Sequence, residues 1–102
     1  MSLRDQSHAA LLAEMHGERA QTLGRIARGM EVALAALRDL DAGDVADPEK
    51  SREDLVAEAA ERVWFYVVQR DVLGMHGHDE ALRAYDVPDE VRFRMGPRRR
   101  TA

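Results

Sequence analysis

Apolar and semi-apolar positions recur at alternating steps of three and four from Ala9 through Leu12, His16, Arg19, Leu23, Ile26, Met30, Ala33, Leu37 and Leu40. That is a heptad rhythm, and it predicts one helix from about Leu3 to Leu40, on the order of 55 Å long at ~1.5 Å per residue. A second column, Ala13, Ala20, Ala27 and Leu34, widens the stripe with small side chains. Such a width suits a bundle better than a narrow two-position seam. Ser2-Leu3-Arg4-Asp5 offers a capping box at the start, and Gly43 supplies a left-handed stop at the end.

Asp47-Pro48 matches an N-cap followed by a first helical residue, with a second box, Ser51-Arg52-Glu53-Asp54, one turn on. A second helix therefore runs to about Leu73, with Gly74 as its stop. Its middle, Val63, Trp64, Phe65, Tyr66, Val67 and Val68, holds three of the five aromatic residues and reads as a packing hub. Val56, Ala60, Val63 and Val67 share one face, and Phe65, Val68, Val72 and Met75 lie nearly opposite. The pattern predicts burial on two sides. Arg70 falls within the apolar arc and requires a carboxylate, with Asp86, Asp89 and Glu90 as candidates, or helix-end carbonyls.

Two short helices follow, Glu80 to Tyr85 with His78 or Asp79 as cap, and one from Pro88 to Met95. Val87, Val91 and Met95 are expected to cover the second helix around Phe65 and Val68. The fold class is all-α: a long helical hairpin closed by two short C-terminal helices, forming a bundle with a second subunit. Residues 1-96 make a single helical domain and 97-102 a basic tail. A long first helix needs a cover for its far end. The expected partner is a second copy, a homodimer by preference, meeting through Leu12, His16, Arg19, Leu23, Ile26 and Met30.

Composition changes this picture little. The 102 residues limit the chain to one domain, and Ala, Leu, Arg and Glu favour helix. Cysteine is absent, which excludes disulfides and thiolate chemistry and agrees with a cytoplasmic location. No signal-peptide pattern or membrane-length apolar run is present, so no membrane partner is expected. Net charge is -4, with all nineteen acids at or before residue 90. Arg92, Arg94, Arg98, Arg99 and Arg100 crowd the C-terminus as candidate nucleic-acid contacts. Asp89 and Glu90 at the head of the supposed recognition helix oppose phosphate, so a folded-back or solvated tail is the simpler account.

Candidate chemistry is sparse. His76, His78 and Asp79 suggest a histidine-based metal site, yet no strong ligand spacing is present, and no metal or other cofactor is expected. Glu58 and Glu61 lie on a polar strip, and no serine or threonine has a histidine and acid placed to activate it. No catalytic residue is assigned. The stretch from about Glu58 to Gly96 carries Trp64-Phe65-Tyr66-Val67-Val68-Gln69-Arg70-Asp71, Ala81-Leu82-Arg83-Ala84-Tyr85-Asp86-Val87-Pro88 and Arg94-Met95-Gly96. It resembles a family of short bacterial helical proteins of unknown function. The resemblance implies a small, stand-alone bacterial helical protein and gives no residue a catalytic role. The reading is an oligomeric helical interaction or scaffold protein, with a nucleic-acid-binding regulator and a metal-binding protein as alternatives.

Overall fold

The computed structural model describes residues 3–44 and 47–96, with side chains described from residue 17 onward. The described residues form four helices in chain order: α1 Leu3–Asp41, α2 Arg52–Val72, α3 His78–Ala84 and α4 Asp89–Arg94. The molecule measures 60 × 32 × 21 Å with a radius of gyration of 17.7 Å. A compact chain of this length would have a radius near ~13 Å, so the fold is a rod with a body at one end.

Three similar stops shape the chain. After α1, Asp44 N–H donates to the Asp39 carbonyl and Gly43 N–H to that of Leu40, with Gly43 at φ 93°. After α2, Met75 donates to Arg70 and Gly74 to Asp71, with Gly74 at φ 74°. After α3, Val87 donates to Leu82 and Asp86 to Arg83. Each is a Schellman closure, in which two orphan carbonyls are satisfied by a left-handed residue and its successor. Asp86 takes that role at φ 53° without being glycine.

The second helix starts later than Asp47-Pro48 suggests. Asp47 Oδ1 instead accepts from Glu49 N–H at 2.9 Å in a local turn. Ser51 is the true N-cap: its hydroxyl accepts from Asp54 N–H at 3.1 Å, and the Asp54 carboxylate accepts from Ser51 N–H at 2.9 Å. These bonds hold the Asp54 carboxyl below its ordinary pKa. The last two helices also shift by a residue or two. Gly77, left-handed at φ 74°, is the cap of α3, so neither His78 nor Asp79 caps it, and Pro88 caps α4 rather than opening it.

α2 runs antiparallel to α1, with Arg52 bonded to Asp41 at one end and Arg62 beside Gly29 midway. The C-terminal segment then returns along α2. Arg70 touches the loop before α3, Arg38 Nη2 donates to the Tyr85 carbonyl, Arg52 pairs with Glu90, and Arg94 pairs with Glu53. α3 and α4 thus close one side of the α1–α2 pair. The core they seal comprises Met30, Leu34, Leu37, Val56, Ala59, Val63, Tyr66, Leu82 and Val91, with Val87 and Met95 packed at its edge.

That path corrects the expected two-sided hub. Val63 and Tyr66 are buried, Trp64, Val67 and Val68 are half-buried, and Phe65 is 46% exposed. α4 is tied to the first turn of α2 by Arg52–Glu90 and Glu53–Arg94, about three turns before Phe65. Val87, Val91 and Met95 therefore reinforce the face already packed on α1. Val72 and Phe93 are also exposed.

Candidate assembly surface

The length mismatch between the two long helices defines the site. α1 has 39 residues and α2 has 21. In their antiparallel register the end of α2 lies beside the middle of α1: Glu18, Arg19, Thr22, Leu23, Gln69 and Leu73 line one groove at the junction. N-terminal to that groove α1 runs on past the end of the shorter α2. Gly17, Glu18, Arg19, Ala20, Gln21 and Thr22 are all exposed.

The six expected interface residues separate along this boundary. Met30 is wholly buried in the chain's own core, and Leu23 and Ile26 pack against that core. Met30 is thus corrected from an assembly residue to a core residue, because the antiparallel α2 reaches it first. Arg19 remains exposed, and none of the described ion pairs includes it. The side chains of Leu12 and His16 lie outside the described residues.

The other candidate chemistry is drawn into structural ties. Arg70, 9% exposed, donates through Nη2 to the His76 carbonyl at 2.8 Å and through Nε to His78 Nδ1 at 3.3 Å. Its guanidinium also lies 5.7 Å from the Tyr66 ring centre, and Tyr66 meets Tyr85 edge to face at 5.4 Å. Burial, and then Tyr66, raise the Tyr85 phenol above its ordinary pKa. Of the partners expected for Arg70, a backbone carbonyl just past the helix end is present, and imidazole and ring stand in place of Asp86, Asp89 and Glu90. His78 Nε2 lies 3.8 Å from the Asp71 carboxylate on its other side.

Asp79 pairs with Arg92, so His76, His78 and Asp79 do not converge; no group of three potential metal-binding side chains occurs among the described residues. Arg92 and Arg94 pair with Asp79 and Glu53 across elements, on the solvent side. Arg98, Arg99 and Arg100, with the rest of the 97–102 tail, lie outside the described residues. Glu58 binds Lys50 at 3.0 Å and raises its pKa. Arg52 bridges Asp41 and Glu90, lowering both carboxyls and rising itself. No described helix is long and apolar enough to cross a membrane.

A family of unknown function, DUF6665, matches residues 1–101. The chain belongs to DUF6665. The DUF6665 match takes in α1 as well as the stretch from 58 to 96, so the projecting half of α1 is part of the family's sequence pattern. No curated protein and no solved structure matches the chain.

Proposed function

We propose that this DUF6665 protein is a non-catalytic helical interaction module that assembles with a second copy through the N-terminal half of α1. The observation that carries the reading is the 39-residue α1 set against a 21-residue α2. In proteins most helical stability comes from packing an amphipathic face rather than from helix propensity alone. The heptad stripe continues through Ala9, Leu12 and His16, on the side that α2 covers farther along. A polar solvent-facing helix has no need of that stripe. A partner that covers it supplies the burial that makes the helix stable.

The reading is interaction rather than catalysis because Arg38, Arg52, Arg70, Arg92 and Arg94 serve to tie the elements of the body to one another. It places the module in a bacterial cytoplasm, supported by a cysteine-free chain. Light scattering over a concentration series tests it. The expected mass is twice the 11.5 kDa of one chain, falling toward a single chain on dilution. A single-chain mass at every concentration would contradict it.

A further inference from the structure

We infer that the side of the α1–α2 pair left open by α3 and α4 binds single-stranded nucleic acid, with Arg25, Arg28 and Arg62 on its phosphates and Phe65 stacked on a base. This surface belongs to the body, apart from the projecting half of α1, so it stands or falls independently of assembly.

The register of the two long helices brings these residues together. The Arg62 guanidinium reaches across to α1, where a Cβ added to Gly29 would lie 3.5 Å from its Nη1. About two turns away, Thr22 and Gln69 line the junction groove together. With Gly29 beside Arg62 and Thr22 beside Gln69, the turn of α1 that carries Arg25 faces the turn of α2 that carries Phe65. Arg25 Nη2 donates to Thr22 Oγ1 at 3.2 Å, which holds its guanidinium on that side. Arg28 follows one turn on, with Nη1 3.6 Å from where a Cβ on Gly24 would stand. Arg25, Arg28, Arg62 and Phe65 are all exposed.

Charge sets this cluster apart from the rest of the body. Lys50, Arg52, Arg92 and Arg94 pair with acids, and Arg38 and Arg70 donate to carbonyls of the C-terminal segment. Among the described residues, Arg25, Arg28 and Arg62 pair with no acid. α1 carries no Asp or Glu between Arg19 and Met30. Glu58, one turn before Arg62, is bonded to Lys50, and Glu31 lies toward Tyr85 on the opposite edge of α1. In a chain of net charge -4, these three arginines thus form a local anion-binding surface.

Phe65 decides which polyanion fits. It stands one turn from Arg62 with its ring open to solvent at 46% exposure. A single strand presents phosphates along its backbone and unstacked bases beside them, so a row of arginines next to an exposed ring meets both parts of the polymer. A duplex keeps its base faces inside the stack, and an acidic protein segment would engage the arginines alone.

Fluorescence anisotropy of labelled oligothymidylate and oligouridylate of about 20 nucleotides, titrated with the full chain over a salt series, tests the proposal. Three phosphate contacts predict a log–log salt slope of about -2, a loss of roughly fifteenfold in affinity between about 50 and 200 mM. Arg25→Gln, Arg28→Gln and Arg62→Gln combined should reduce that slope by about 2. Phe65→Ala should weaken binding about tenfold at every salt concentration with the slope unchanged, and Phe65→Trp should stay within about threefold of the parent. No binding at low salt, equal affinity for a duplex of the same length, or a Phe65→Ala variant that binds like the parent would each overturn the proposal. So would binding that Arg98→Gln, Arg99→Gln and Arg100→Gln abolish while the three body substitutions leave it intact, which would move the contact to the tail. A glutamate-rich helical peptide that binds where the oligonucleotides do not would make this a surface for acidic protein segments instead.

Discussion

The two halves of α1 follow one heptad rhythm and have opposite fates. Between residues 27 and 37, Ala27, Met30, Leu34 and Leu37 are buried because α2, closed by α3 and α4, lies against them. Before about residue 17, the same stripe runs on past the end of α2. Periodicity states that a face will be covered; the length of the neighbouring helix states by what. A 21-residue α2 ends where the chain's own coverage of α1 ends.

The largest effect should separate the halves. Leu34→Ala, at a position 1% exposed, is expected to cost about 3 kcal/mol of unfolding free energy at any concentration. Leu12→Ala should leave the dilute chain's stability within about 0.5 kcal/mol and act only where copies associate. Denaturant melts of both variants at low and high protein concentration check the pair. Equal losses in the dilute chain would erase the distinction between the halves.

Arg70→Met tests how the body is closed. It removes the donors to the His76 carbonyl and to His78, leaving a part-buried carbonyl to find another partner. A loss of about 1–3 kcal/mol is expected, without change in the assembled mass. A mass change would mean that the histidine loop belongs to the contact between copies.

Trp64→Ala and Phe65→Ala measure whether the body is sealed on one side only. The half-buried indole should cost about 1–2 kcal/mol, and the 46% exposed Phe65 less than about 1 kcal/mol. A larger loss at Phe65 would place a second body against that face and move the assembly surface away from α1.

The smallest effect is acid dependence at the covered end. Asp41 and Glu90 are lowered by Arg52, and Asp54 by the Ser51 cap. A depressed carboxyl contributes stability that is complete above its unfolded value and is lost as pH falls through its folded one. Melting temperature should therefore drop below about pH 4, less steeply in Arg52→Gln and less steeply in high salt. All these groups lie on the solvent side, so the difference is small. An unchanged slope in Arg52→Gln would show that the bridge contributes nothing to it.

Much of this was legible because local chemistry decides it. The Gly43 and Gly74 stops, the Ser51–Asp54 box and the length of α1 each follow from a few adjacent residues. The errors lie where tertiary contact decides. The face that carries Phe65 is as apolar as the one that carries Val63; its exposure follows from the direction in which α3 and α4 return, fixed partly by Arg70 reaching the His76 carbonyl. Met30 matches the heptad as well as Leu12 does and differs only in having α2 beside it. Asp86 was hidden for another reason: it holds a left-handed position usually signalled by glycine, which aspartate tolerates at some cost.

Amide hydrogen exchange along α1 tests the central claim most directly. Amides from about residue 7 to 20 should be protected at concentrations where copies associate and exchange rapidly on dilution, while those from 27 to 37 stay protected throughout. Protection of the projecting half that is the same at every concentration would contradict cover by a second copy.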